Sequence, residues 1–127
     1  MGGPKKRSHQ PPASTDQTTV HFRFQKADPN RFGLSSFAGR DLDCLLKTLA
    51  DAENVMWREF RNRRDYDLHP VSRPALKHKP PASVSPDETI FSLDVLGLRP
   101  ARLYGCHQGQ YFYIFWFDRF HDAIDMS

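Results

Sequence analysis

The stretch ARLYGCHQGQYFYIFWFDRFH, residues 101–121, is more apolar than any other part of the sequence that is as tightly bounded by polar residues. It contains two runs of strand-forming residues joined by a short segment with a glycine, which is the pattern of an antiparallel β-hairpin. If Gln108 and Gly109 form the turn, Arg102 lies opposite Phe115. We predict that this hairpin is the element around which the rest of the chain folds.

Because side chains alternate along a strand, this register divides the hairpin into two faces. One face carries no ionisable group and is suited to packing beneath helices, whereas the other mixes phenols with a guanidinium and is suited to a polar ligand. Both faces can instead be core in a two-sided sheet. The first face consists of Ala101, Leu103, Gly105, Phe112, Ile114 and Trp116. The second consists of Arg102, Tyr104, Cys106, Tyr111, Tyr113, Phe115 and Phe117.

Length and composition narrow the class of protein. A chain of 127 residues is long enough for one domain with a modest core, and 13% aromatic residues exclude full disorder. The net charge of +3 is compatible with an anionic partner. We predict no membrane span and, because the N-terminus lacks the apolar segment of a secretion signal, a cytoplasmic location. Cys44 and Cys106 lack metal-ligand spacing, so we predict reduced cysteines, no metal and no cofactor.

The remaining segments predict an arm, a strand and a helical region. Residues 1–18 are rich in Gly, Pro, Ser, Thr and Lys and are predicted to form a flexible arm before a single domain at 19–125. Alternating residues at 20–24 predict the first strand, with Val20, Phe22 and Phe24 in the core. An amphipathic helix then starts near Asp41, and Asn54 is a candidate for its division into two. Its apolar stripe consists of Leu42, Leu45, Leu46, Leu49, Ala52, Met56 and Phe60.

Two basic segments follow this stripe. Arginines at the end of the helical region form either a phosphate-binding patch or a solvated helix end whose cations offset the helix dipole. Residues 65–87 contain five prolines and predict a long loop that either faces a substrate or has no function. The candidate ligand-binding residues in these two segments are Arg58, Arg61, Arg64 and His69.

The order of elements predicts the fold class. Residues 90–95 alternate as a further strand before the hairpin, so one strand precedes one or two helices and three consecutive antiparallel strands follow them. This order predicts an α+β domain with the helices on one face of an antiparallel sheet of about four strands. Asp118 and His121 then lie just past the last strand. A histidine there can transfer protons and a carboxylate can orient it, although a C-terminal His beside an Asp is more often a surface residue.

The strings RLYG at residues 102–105 and YFYIFWFD at residues 111–118, followed by His121, resemble the C-terminal half of the RelE/ParE-like superfamily of toxin domains. The resemblance is closest to uncharacterised relatives in which a strand with an Arg-apolar-aromatic-Gly pattern pairs with a strand of the pattern Phe-Tyr…Trp…Asp…His. It covers residues 90–122, and residues 39–62 are compatible with the helices of that fold. The RelE-like order of strand, two helices and three antiparallel strands is the order predicted above.

The resemblance implies a small bacterial toxin-like protein, in many relatives a metal-independent endoribonuclease that cleaves mRNA on the ribosome. It implies RNA and a cognate antitoxin as partners, with attack of the ribose 2′-hydroxyl on the adjacent phosphate. By position, Arg102 would stabilise the phosphate and His121 would act as general acid or base. Asp118 would orient the His121 ring. The tyrosines that would stack on or hydrogen-bond to the RNA are Tyr104, Tyr111 and Tyr113.

Two alternatives of a different class stay open at this point. The fold can serve as a non-catalytic interaction module that binds a protein, either an antitoxin or, as in ParE-like members, gyrase. The second alternative is an accessory protein that binds nucleic acid through the arginine cluster at residues 58–64. Its affinity for nucleic acid would fall steeply as the salt concentration rises.

Overall fold

The computed structural model describes residues 15–125, which form an α+β fold with two helices and a five-stranded mixed sheet. The sheet order is β1-β5-β4-β3-β2. Of the predicted arm, residues 1–14 lie outside the described part, while Thr15–Gln17 forms a short 3-10 helix. The elements are β1 (His21–Arg23), α1 (Arg40–Ala52), α2 (Trp57–Asn62), β2 (His69–Val71), β3 (Ile90–Asp94), β4 (Arg102–Gln108) and β5 (Tyr111–Asp118).

The α+β class is confirmed, but the sheet differs from the prediction in two ways. Strands β3, β4 and β5 are antiparallel neighbours as expected, whereas β1 pairs with β5 in parallel. A fifth strand, β2, comes from the proline-rich segment and pairs with β3 at the other edge. Strand direction does not alter the alternation of side chains, so the sequence pattern of β1 carries no signal for parallel pairing.

The central hairpin forms, but its register differs from the predicted one. Gln108 pairs with Tyr111, so the turn consists of Gly109 and Gln110, with Gly109 at a φ of 61°. A register shift next to Gly105 leaves an extra residue in β5. Arg102 therefore pairs with Asp118 instead of Phe115.

This β-bulge changes the composition of the two faces. Beyond a bulge, every side chain points to the opposite face from the one that simple alternation predicts. Trp116 consequently pairs with Tyr104 on the face predicted for the polar ligand, and Phe117 lies in the core beneath the helices. The assignment of these two residues to faces was wrong for that reason.

Both faces of the hairpin are buried, so the sheet has two cores. The face with Leu103 and Phe112 packs in one cluster with Leu45, Trp57 and Phe60 of the helices. The opposite face, with Tyr104, Cys106 and Trp116, packs in a second cluster whose other members are Phe32, Val71, Leu76, Val84, Ile90, Phe115, Ala123 and Ile124. The prediction of an open face was therefore wrong for the part that carries Tyr104, Cys106 and Trp116, which is core in a two-sided sheet, whereas Tyr111 and Tyr113 on the same face are only half-buried.

The proline-rich segment supplies much of the second core. The Arg73 guanidinium donates hydrogen bonds of 2.7 Å to the carbonyls of Ser85 and Glu88, which closes the segment on itself. The Lys77 amide donates to the Ala123 carbonyl at 2.9 Å and ties the segment to the C-terminal turn. Residues 65–87 thus combine a strand, a 3-10 turn and core residues, although no periodicity in their sequence indicates this.

The helical region breaks where Asn54 predicted, because α1 ends at Ala52 and α2 begins at Trp57. The buried side of α1 is narrower than the predicted stripe and consists of Leu45, Thr48 and Ala52. Leu42, Leu46 and Met56 of the predicted stripe, as well as Phe24, are exposed and Leu49 is half-buried, whereas Phe60 is buried in α2 as predicted. No helix in the described residues 15–125 is long and apolar enough to cross a membrane.

Candidate functional site

Arg102 is the buried member of an ion cluster formed by β4, β3 and the residues just before β2, in which Asp67 is exposed. It is 9% exposed, and its guanidinium donates to Asp94 Oδ1 at 2.5 Å and to the Asp67 carbonyl at 3.2 Å. Its Nε donates to Ser92 Oγ at 3.1 Å, and its Nη2 lies 3.4 Å from Asp67 Oδ2. One cation facing two carboxylates leaves the cluster with a formal charge of −1. A phosphate would meet net repulsion at Arg102 in this arrangement.

His69 lies in the same cluster, although the sequence reasoning placed it in a separate loop. Its Nδ1 is 2.8 Å from the Asp67 carbonyl, and its Nε2 is 3.5 Å from Ser92 Oγ. The sequence reasoning missed Ser92, Asp67 and Asp94 as partners of Arg102. The signal for Asp94 was available, because Asp94 and Arg102 are an opposite-charge pair on neighbouring strands.

The C-terminal turn carries His121, and Asp118 holds its backbone. The buried carboxylate of Asp118 accepts hydrogen bonds of 2.8 Å from the amides of Asp122 and Ala123. These bonds close a turn in which His121 has a φ of 61°, a region that non-glycine residues seldom occupy. The His121 side chain is partly exposed at this turn. Asp118 thus positions the histidine through the main chain, whereas the prediction was that it orients the ring.

Two of the three predicted RNA-stacking tyrosines lie on a surface where β1 meets β5. Arg23 lies 5.1 Å from the ring centre of Tyr111, and Lys26 lies 5.1 Å from that of Tyr113. The two phenol rings are 6.1 Å apart, and His21 contacts Tyr111 edge-on at 6.0 Å. We call these five residues the β1–β5 ledge. It combines positive charge with adjacent aromatic rings, both of which single-stranded nucleic acids bind.

Glu88 bounds the ledge on one side. Burial tends to raise the pKa of this carboxyl group, but the Ser85 amide and the Lys26 ammonium group hold it below the ordinary value. The Lys26 ammonium is 3.4 Å from Glu88, and the Gln108 amide donates to the other carboxylate oxygen at 2.7 Å. Glu88 therefore fixes Lys26 beside Tyr113 and connects the ledge to the proline-rich segment.

The third predicted tyrosine, Tyr104, is fully buried in the second core. Within the described residues its hydroxyl has no hydrogen-bond partner, and burial raises its pKa above the usual range for phenols. Because the ring is fully buried, a base cannot reach it in this conformation. Its RNA contact stays a prediction.

The arginines of α2 lie near the hairpin turn. The Trp57 indole donates to the Gln110 carbonyl at 2.9 Å and stacks on His107 at 3.7 Å, which holds α2 against the turn. Arg58 and Arg61 of α2 and Arg64, two residues beyond its end, are all exposed, and Arg61 also pairs with Asp16. Because the His21 amide also donates to the Gln110 carbonyl, α2 and the ledge flank the same turn.

An apolar groove of about 570 Å³ lies beside α1. Its rim includes Phe24, Leu34, Leu42 and Leu46, all of which are substantially exposed. Other residues that line it are Ala27, Asp28, Phe32, Gly33, Leu45, Leu49, Phe115 and Phe117. The sequence reasoning missed this groove because it assigned Phe24 and the leucines of α1 to the core.

No family model matches this chain, and neither a curated protein nor a solved structure matches it. The RelE/ParE-like resemblance therefore stays a prediction that depends on the residues quoted above. Within residues 15–125, no group of three or more His, Cys, Asp or Glu side chains is arranged to hold a metal ion.

Proposed function

We propose that this chain is a RelE-like, toxin-class protein of a toxin–antitoxin system that binds mRNA on the β1–β5 ledge. The observation that carries the proposal is the pair of neighbouring tyrosines, Tyr111 and Tyr113, each with its own cation at 5.1 Å. Bases can stack on such rings while Arg23 contacts a phosphate, and Lys26, which is held by Glu88, stays beside Tyr113. The motifs of the hairpin and the strand–helix–helix–strand order support the RelE-like assignment.

Cleavage in this proposal follows the chemistry of metal-independent ribonucleases. The ribose 2′-hydroxyl gives its proton to a base and bonds to the phosphorus, and the 5′-oxygen leaves as a hydroxyl after accepting a proton. The products are a 2′,3′-cyclic phosphate and a 5′-hydroxyl end. We assign the proton transfer to His121, because its imidazole is partly exposed at a turn that Asp118 holds in place.

Removal of both ledge rings is expected to weaken RNA binding. Because base stacking on an aromatic ring contributes about 1–3 kcal/mol, Tyr111→Ala combined with Tyr113→Ala should raise the Kd for single-stranded RNA by about a hundredfold. Fluorescence anisotropy with a labelled oligonucleotide measures this. Phe120→Ala is the matched control, because that exposed ring also carries a cation at 5.0 Å but lies outside the ledge. Equal losses in both variants would exclude the ledge as the binding surface.

A second candidate function is favoured by the Arg102 cluster. Asp94, Asp67 and Ser92 already accept hydrogen bonds from the guanidinium, and the net charge of the cluster is unfavourable for phosphate. This arrangement suits a RelE-fold module without cleavage activity whose partner is a protein, either an antitoxin or a gyrase-like target.

A cleavage assay distinguishes the two candidates. The ribonuclease proposal predicts 2′,3′-cyclic phosphate ends on free or ribosome-bound mRNA, with a rate reduced by about 10²-fold or more in His121→Ala, the usual effect of losing a general acid or base. Intact RNA with both the parent protein and His121→Ala would leave the interaction module as the function.

A further inference from the structure

An exposed apolar stripe runs along α1 at the rim of the groove. Leu42 is 41% and Leu46 is 66% exposed, and half-buried Leu49 continues the stripe one turn further. At 100° per residue these leucines lie on one side of the helix, next to the side that Leu45 and Ala52 bury against the sheet. Exposed apolar surface of this kind marks a contact with another molecule.

Two opposite charges border this stripe on its solvent side. Asp43 and Lys47 are exposed and one helical turn apart, and within residues 15–125 no ion pair involves either of them. Asp41, on the opposite flank, is by contrast paired with Arg119 at 2.9 Å, and this hydrogen bond holds the pKa of the Asp41 carboxyl below its ordinary value. The solvent-side flank thus presents one unpaired anion and one unpaired cation.

This charge order is self-complementary in an antiparallel contact. In a two-fold contact between identical helices, the same flank of each copy faces the other. A two-fold axis that crosses the helices at the level of Leu45 places Asp43 of one copy beside Lys47 of the second copy. The symmetry places Lys47 of the first copy beside Asp43 of the second in the same way. The same axis places Leu46 of one copy between Leu42 and Leu46 of the second copy. Leu46 then packs against the rim of the second copy's groove.

We propose that the groove binds α1 of a second copy of this chain, so that the protein forms a two-fold dimer through antiparallel α1 helices. The stripe of one copy covers the exposed leucines of the other, and the Asp43–Lys47 pairs set the antiparallel direction. The groove and the β1–β5 ledge have no residue in common, and the contact does not depend on RNA binding.

The oligomeric state in solution tests the proposal. In sedimentation equilibrium, the weight-average mass of the parent chain should rise with concentration from 14.7 kDa toward twice that value. Leu46→Glu should remain monomeric, because it places a charge at the centre of the contact. Met56→Glu is the matched control, since Met56 is 49% exposed but does not line the groove.

A charge exchange tests the direction of the helices. Asp43→Lys should weaken the dimer roughly tenfold, because it replaces two attractive pairs with two repulsive ones. The double variant Asp43→Lys with Lys47→Asp should return the dimer affinity to that of the parent chain. A parent chain that stays monomeric at the highest attainable concentration would overturn the proposal and leave the groove to a different protein. A dimer that survives Leu46→Glu, or a double variant as weak as Asp43→Lys alone, would also overturn it.

Discussion

Gly105→Ala is expected to lower the free energy of unfolding by about 3 kcal/mol, the upper end of the cost of overpacking a core. A Cβ at this position would lie 2.3 Å from the Tyr113 carbonyl oxygen and 2.7 Å from the Phe112 ring. The nearest of these atoms is backbone of the neighbouring strand and cannot rotate away. The hairpin would have to separate at its bulge to accept a single methyl group.

Equilibrium denaturation with urea measures this effect, and Gly33→Ala provides the control. At Gly33 no heavy atom lies within 4 Å of the position that a Cβ would occupy, and the residue has no positive φ. Alanine there should therefore change stability by less than about 0.5 kcal/mol. Equal stabilities of the two variants would show that the backbone contact at Gly105 relaxes without cost.

Arg102→Met is expected to destabilise the fold by about 3 kcal/mol or more, the usual cost of removing one partner from a buried ion pair. The substitution would leave Asp94 near the interior without its cation, because the Arg102 guanidinium is the group that neutralises it at 2.5 Å. Ser92, which is fully buried, would lose the N–H that it accepts at 3.1 Å.

A double-mutant cycle separates the ion pair from the loss of packing. Asp94→Asn removes the stranded charge, so the double variant should recover part of the stability that Arg102→Met loses. The free energies of unfolding of the parent, both single variants and the double variant complete the cycle. Strictly additive losses would contradict a coupled cluster, and a fully stable Arg102→Met would leave the guanidinium available for a role in phosphate binding.

Local sequence patterns predicted the elements whose signals lie within a few residues. The hairpin followed from two strand-forming runs around a glycine, and the strand at residues 90–95 followed from alternation. The break between α1 and α2 followed from Asn54 within a helical stripe. Each of these signals depends on backbone conformation and side-chain alternation, which neighbouring residues largely determine.

The candidate site was less predictable because its members come from separate segments. Tyr111 and Tyr113 were identified as binding residues, but their cations, Arg23 and Lys26, lie almost ninety positions earlier in the chain. Only the parallel pairing of β1 with β5 brings them together. Arg102 shows the opposite outcome, because the sequence predicted that its guanidinium contacts a phosphate, whereas in the fold it forms an ion pair with Asp94.

By itself, the sequence of residues 101–121 determined that a hairpin forms and that one of its faces packs beneath helices. The tertiary structure decided the register, the bulge and the burial of the second face. A bulge depends on how Gly105 packs against the neighbouring strand, and the closeness of that contact is a property of the assembled sheet. The proline-rich segment covers Tyr104 through contacts between residues far apart in the chain, which no local pattern records.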